Sequence, residues 1–258
     1  MIKLVFFILL ILILPLGVSA KEPKTVIVGI YPWSPYVNYY PSSTGVSIEF
    51  VKLLNSFQKD FKFVTKEIPA KRRYDLIKNG TVDIILFEDA NWDWKGRDVL
   101  FSNQFAIKGV PYKDGELFVA LKEKTTDQKY FDNLKDKKIL ITLGYHYAFT
   151  NFSTDDNYLK KHFDLDICPD PEGIIKKLLK NRGDIGLISQ SLLKQYTLKN
   201  PQDKDKFFIA TKMDSVYSLL IVIRKNGSIS KNQIDFILDK LDKDGLAEKF
   251  FKEQHLID

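Results

Sequence analysis

Two stretches, LIKNGTVDIILF from Leu76 to Phe87 and LLKNRGDIGLIS from Leu178 to Ser189, decide how this 258-residue chain is read. Each begins at the apolar end of a helix, passes through Lys-Asn and a glycine turn, and enters an apolar run behind an aspartate, Asp83 or Asp184. A short apolar run bounded by such turn residues reads as a strand buried on both faces. The same helix, turn and strand in each half of the chain predicts two α/β units of similar construction. Asp184 is expected to anchor its turn.

Working outward, Thr25–Tyr31 (TVIVGIY) is a β-branched run ended by Pro32 and Pro35, a strand followed by a loop. Ile48, Phe50, Val51, Leu53, Leu54 and Phe57 share one face of an amphipathic helix, and Phe61–Glu67 returns to strand-like alternation. Pro69 opens a second helix that stops at Asn79-Gly80. In the second half, Lys138–Leu143 is a strand ended by Gly144, and Pro171–Lys180 is a helix. Glu116–Leu121 (ELFVAL) and Tyr217–Arg224 (YSLLIVIR) are expected to bridge the two units. Strand bridges in place of a loose linker predict hinge motion.

At the amino end, Lys3, the apolar run Leu4–Leu16 and the small residues Val18-Ser19-Ala20 read as a secretory signal peptide over residues 1–20. That apolar run is shorter than the roughly 20 residues of a membrane-spanning helix. With no cysteine near the cleavage point to carry a lipid, the expectation is a periplasmic or secreted product whose mature chain starts at Lys21. Length alone leaves one large or two modest domains open. Cys168 is the only cysteine, so stability must come from packing without an internal disulfide. The net charge of +6 arises from 39 basic and 33 acidic residues spread along the chain. Such mixing solvates a surface, and no basic stripe interleaved with aromatics argues for nucleic acid.

The order of six segments resembles the family 3 periplasmic solute-binding proteins, the amino-acid-type substrate-binding proteins of ABC transporters, over nearly all of the mature chain. The segments are YPWSPY from Tyr31, Gly45–Glu49, PAKRRYDLIKNGTVDIIL from Pro69, GRDVLFSNQF from Gly96, NLKDKKILITLGY from Asn133 and IDFILDKLDKDGLAEKF from Ile234. The resemblance implies a type II two-lobe periplasmic-binding-protein-like α/β fold, each lobe a mixed sheet flanked by helices, with two hinge crossings. Lobe 1 would comprise residues 21–115 and 214–258, and lobe 2 residues 116–213. Ligands of open α/β sheets sit at the carboxyl ends of strands.

Four loops there supply the candidates. Trp33 and Tyr36 can wall a ligand by stacking or attract a cation to a ring face. Arg72, with Lys71 matching a lysine-arginine pair of some family members, can fork onto a carboxylate, and Arg73 is expected to face elsewhere. In the third loop the resembling proteins carry hydroxyl residues and then a carboxylate-gripping arginine. Here the loop reads EDANWDWKGR from Glu88, and an ungapped count places Lys95 at that arginine and Arg97 two residues beyond. Glu88 and Trp92 are taken as ligand-facing, suited to a cationic or hydroxyl-rich ligand, and Asp93 and Trp94 as solvent-facing. In the second lobe, Gly144-Tyr145-His146 and Ser189-Gln190 follow strands, with Tyr145 and Gln190 the chosen contacts.

The three histidines and single cysteine show no metal-site spacing, no nucleophile or phosphate-loop motif occurs, and no cofactor is expected. The expectation is a monomeric, non-enzymatic binder of a small polar metabolite, amino-acid-like and cationic or zwitterionic, serving a membrane transporter permease. A sensor for a membrane receptor, and a dehydratase-like enzyme using Glu88 in the same cleft, remain alternatives.

Overall fold

A computed structural model of the chain describes residues 22–39 and 42–258. The expected signal peptide falls outside the described residues. The first part runs β1 (Lys24–Ile30), α1 (Val46–Phe57), β2 (Phe61–Glu67), α2 (Arg73–Lys78), β3 (Ile84–Glu88) and β4 (Val99–Phe101), then a ribbon of β5 (Ala106–Ile107) and β6 (Val110–Pro111). The middle part runs β7 (Lys113–Leu121), β8 (Lys138–Thr142), α3 (Asp156–His162), β9 (Asp164–Cys168), α4 (Pro171–Leu179), β10 (Ile185–Ser189), α5 (Gln190–Lys199), β11 (Phe207–Ile209) and β12 (Ser215–Ser218). The chain finishes with β13 (Leu220–Arg224), α6 (Lys231–Lys243) and α7 (Leu246–Glu253).

Two sheets form, and they match place for place. The first has the order β2-β1-β3-β13-β4, with β2, β1 and β3 parallel and β13 antiparallel to β3 and β4. The second has the order β9-β8-β10-β7-β11, with β9, β8 and β10 parallel and β7 antiparallel to β10 and β11. The two stretches that open the sequence reading end in β3 and β10, the middle strand of each sheet. Their aspartates act alike. Asp83 accepts from Ile27 N–H at 2.9 Å and Asp184 from Lys138 N–H at 2.8 Å, each clipping the middle strand to its parallel neighbour. A buried aspartate at a strand entry thus satisfies a backbone donor that would otherwise be orphaned.

The chain changes sheet at Tyr112, between β6 and β7, and at Leu219, between β12 and β13. Glu116–Leu121 is therefore not a bridge but the inner part of β7, paired on one edge with β10 and on the other with β11 and β12. The pairing of β7 with β12, from Lys113↔Ser218 to Glu116↔Ser215, draws both passages into the second sheet. That sheet consequently takes in residues 113–218, a wider span than the 116–213 expected for the inserted lobe.

Each sheet is covered by helices. In the second, Ile174 and Leu178 of α4 pack on one face with Leu140, while Ile139, Ile141 and Leu187 face Tyr147 on the other. Helix α4 begins well because Asp170 caps the Gly173 N–H and Pro171 takes the first turn, where its missing N–H is no loss. It lies close on β10 through Gly186, where an added Cβ would come within 2.5 Å of Ile174 Cγ2 and 2.8 Å of Leu178 Cδ1. Gly186→Ala is accordingly expected to lower stability by about 1–3 kcal/mol through overpacking. The check is the urea midpoint, and an unchanged midpoint would refute this packing.

Candidate ligand-binding cleft

The carboxyl ends of the parallel strands of both sheets converge on a small cavity of about 290 Å³. The first lobe supplies Tyr31, just after β1, with Trp33, Arg73 and Trp92. The second supplies Glu116 from β7 and Gly144, Tyr145 and His146 from the loop after β8. The walls are joined across the cleft by side-chain hydrogen bonds. Tyr145 OH donates to the Pro32 carbonyl at 3.0 Å, and Tyr74 OH lies 2.7 Å from His146 Nε2. Deeper in, Tyr36 OH donates to Asp114 at 3.1 Å.

Arg73 organises the first-lobe wall. It is 2% exposed, its Nε is 3.6 Å from Glu88 Oε1, and its guanidinium lies 4.4 Å from the centre of the Tyr74 ring and 5.1 Å from that of Tyr31. Glu88 is fully buried, accepting from Tyr31 OH at 2.5 Å and from Trp94 Nε1 at 2.7 Å. Both carboxylate oxygens thus face donors, the pattern of an ionised group. Burial pushes the Glu88 carboxyl up, and Arg73, Tyr31 and Trp94 act against that rise.

Glu88 reaches this position through a bulge. Glu88 pairs with Leu220 and Ile85 with Val222, so Leu86 and Phe87 together oppose Ile221. Phe87 takes the left-handed conformation at φ 59°, rare for a bulky residue. Bulges beside functional sites re-aim side chains, and here the one in β3 turns Glu88 towards Arg73.

Of the expected contacts, the structure brings Trp33, Trp92 and Tyr145 to the cavity. Trp33 meets Trp92 edge to face at 5.2 Å, and Tyr36 stacks on Trp33 at 4.1 Å. Tyr36 is fully buried behind Trp33 and supports that wall without reaching the cavity. Glu88 likewise lies behind Arg73. Arg72 is exposed while Arg73 is buried, because a tight 3-10 turn over Ala70–Arg72 precedes α2 and shifts which arginine faces inward. Arg97 and Lys95 stay outside. Arg97 pairs with Asp93 and lies over the outer face of Tyr74 at 4.0 Å. Gln190 is exposed at the start of α5, whose cap is the Ser189 side chain. Trp94, expected in solvent, is fully buried because its indole N–H is needed by Glu88.

Tyr31, Arg73 and Glu116 were not among the expected contacts. Tyr31 and Glu116 carried a usable signal, a tyrosine at the end of a buried strand and an acid at the head of an apolar run. Glu116 is 5% exposed, and its side chain receives one long hydrogen bond, from Tyr217 OH at 3.4 Å. Burial, with Asp114 and Asp214 nearby, pushes its carboxyl well above the ordinary range. Burial and the positive Arg73 push His146 down to about 4, so its ring is neutral near pH 7. Its Nδ1 lies 2.6 Å from the Phe152 carbonyl and must carry the hydrogen, leaving Nε2 to accept from Tyr74. Among the described residues, no acid, histidine and cysteine cluster could hold a metal ion, and no helix is long and apolar enough to cross a membrane.

No protein-family model matches this chain, and no curated protein does. Solved structures do match. An ancestral arginine-binding protein bound to arginine is 18% identical, with TM-score 0.67 over 91% of this chain and 99% of its own. The GluR0 ligand-binding core complexed with L-glutamate is 15% identical, with TM-score 0.65 over 92% of this chain and 99% of its own. An ancestral amino acid-binding protein, a precursor of cyclohexadienyl dehydratase, is 16% identical, with TM-score 0.66 over 90% of this chain and 95% of its own. Such identities establish the fold, and the chain has the two-lobe periplasmic-binding-protein-like architecture.

Proposed function

We propose that this protein is an exported solute-binding protein that closes its lobes on a small polar metabolite, cationic or zwitterionic and amino-acid-like, for a membrane transporter. The observation that carries the reading is the cavity itself: aromatic, walled by both lobes, and set at the carboxyl ends of their parallel strands. Closure follows when a ligand touches both walls, since contacts available only in the closed form shift the population towards it. Glu88, the acid on which a dehydratase reading would lean, is sealed by Arg73, Tyr31 and Trp94 and does not line the cavity. That favours capture over catalysis.

A thermal-shift screen against a metabolite panel tests the proposal, because a ligand specific for the folded form raises the midpoint in proportion to its saturation. Absence of any shift, together with turnover of a small acid abolished by Glu88→Gln, would replace binding by catalysis. Trp33→Ala should weaken whichever ligand is found by roughly tenfold or more, the loss of one stacking or cation–π wall. An unchanged dissociation constant would remove Trp33 from the site.

A further inference from the structure

The charge inventory of the cleft is unbalanced in one place. Arg73 is the only lysine or arginine lining the cavity, and its charge is already matched by Glu88, itself fixed by two donors. Its NH1 is committed to the Ala70 carbonyl at 2.7 Å. Glu116, on the opposite wall, forms no ion pair among the described residues. The neighbouring acids are better served. Asp114 accepts from Ser191 OH, Gly115 N–H and Tyr36 OH, and Asp214 accepts from Ala148 and Phe149 N–H. Glu116 alone combines deep burial, a single weak hydrogen bond and a place on the cavity wall.

A buried carboxylate without a partner is costly, and the cost is removed by a cation that arrives beside it. Around Glu116 the remaining walls are rings, those of Tyr31, Trp33, Trp92 and Tyr145, whose faces attract an ammonium group. A ligand carboxylate would find no free cation to receive it. A zwitterion would leave Arg73, Glu88, Glu116 and ligand together one negative charge in excess, whereas a monocation leaves them neutral.

We infer that the ligand is a small organic monocation lacking a carboxylate, an alkylammonium or choline-like group, with Glu116 as its counter-ion inside the aromatic walls. This inference rests on the solute-binding reading and narrows it. It separates the site from a carboxylate clamp, for which Arg73 would have to release Glu88. Burial and the nearby Asp114 and Asp214 also favour a proton on Glu116 when the cleft is empty, and an arriving cation displaces it.

Matched pairs test it. Choline is compared with glycine betaine, and n-butylamine with L-norvaline, each pair keeping its ammonium and differing in the carboxylate. Binding is followed by the fluorescence of Trp33 and Trp92 and by calorimetry. Choline or butylamine should bind at least tenfold more tightly than its carboxylated counterpart, and Glu116→Gln should weaken that cation by tenfold or more without lowering the melting midpoint of the empty protein. Equal or tighter binding of betaine or norvaline overturns the inference and leaves the solute-binding reading intact. Failure of both cations at millimolar concentration also overturns it. The solute-binding reading falls separately, when the wider metabolite screen fails as well. The wild-type comparison decides the matter even if the variant does not fold.

Discussion

Arg73→Ala is expected to cost about 3–5 kcal/mol of folding stability, whereas Arg72→Ala, one residue earlier, should stay within about 0.5 kcal/mol. The contrast follows from position alone. Arg72 is exposed, and Arg73 is 2% exposed beside a Glu88 that is fully buried. Removing the guanidinium leaves the Glu88 carboxylate without a counter-charge and strips the cation from between the Tyr31 and Tyr74 rings. The measurement is the urea midpoint, read with an unchanged slope so that the shift reports stability and not a change in the unfolded state. Equal midpoints for the two variants would place Arg73 outside the core of the wall.

The double variant Arg73→Met with Glu88→Leu separates two origins of that loss. A buried pair replaced whole by apolar groups is often neutral, because neither charge is left uncompensated. Most of the Arg73→Ala loss should therefore be recovered, though Tyr31 OH and Trp94 Nε1 would each lose their acceptor. The coupling in such a cycle is the direct measure of the pair. The melting midpoint of the double variant, set beside Arg73→Ala alone, gives the answer. No recovery would mean that the orphaned tyrosine and indole donors, and not the bare charge, account for the damage.

The middle strands β3 and β10 were visible in the sequence because burial on both faces leaves a continuous apolar run, and an aspartate with a preceding glycine turn marks where it starts. Trp33, Trp92 and Tyr145 were visible for a related reason: large rings in loops at strand ends have few other places to go. Arg73 was not, since Arg72 and Arg73 are the same residue type and only the pitch of a three-residue turn decides which enters. A 3-10 turn advances about 120° per residue where an α-helix advances about 100°, enough to exchange neighbours. Trp94 and Glu88 were misplaced for want of the bulge at Phe87, which no periodicity announces. Glu116 was absorbed into an apolar stretch, although an acid heading a buried strand is itself a signal that something must meet it. Gln190 follows Ser189, and once the Ser189 side chain accepts from the Leu192 N–H to cap α5, Gln190 is the first helical residue and faces outward.

Acid should loosen this protein through His146. Burial and Arg73 hold its pKa at about 4, against an ordinary value of 6.5. Between these values the unfolded chain binds a proton that the folded chain refuses, so stability rises with pH across that window and is lost as pH falls through it. A shift of that size corresponds to about 3 kcal/mol by the conversion of pKa units to free energy. The cause is the burial of charge and not the loss of a hydrogen bond. A protonated ring can still donate through Nε2 to Tyr74, whose own proton can turn to the Trp92 carbonyl at 3.0 Å. What it cannot escape is the guanidinium of Arg73. Glu116 acts in the opposite sense: its raised pKa means the folded chain keeps a proton that the unfolded chain releases, so its contribution falls as pH rises above the ordinary carboxylate value. The two slopes overlap, and subtraction isolates the first. Urea midpoints of the native protein and His146→Gln at pH 4, 5, 6 and 7 should differ in slope, the variant losing less on the acid side. Parallel curves would show that His146 is not the group that resists protonation. Because Tyr74 and His146 stand on opposite lobes, the acid penalty falls on the closed form, and ligand affinity should weaken over the same window in the native protein and less in the variant.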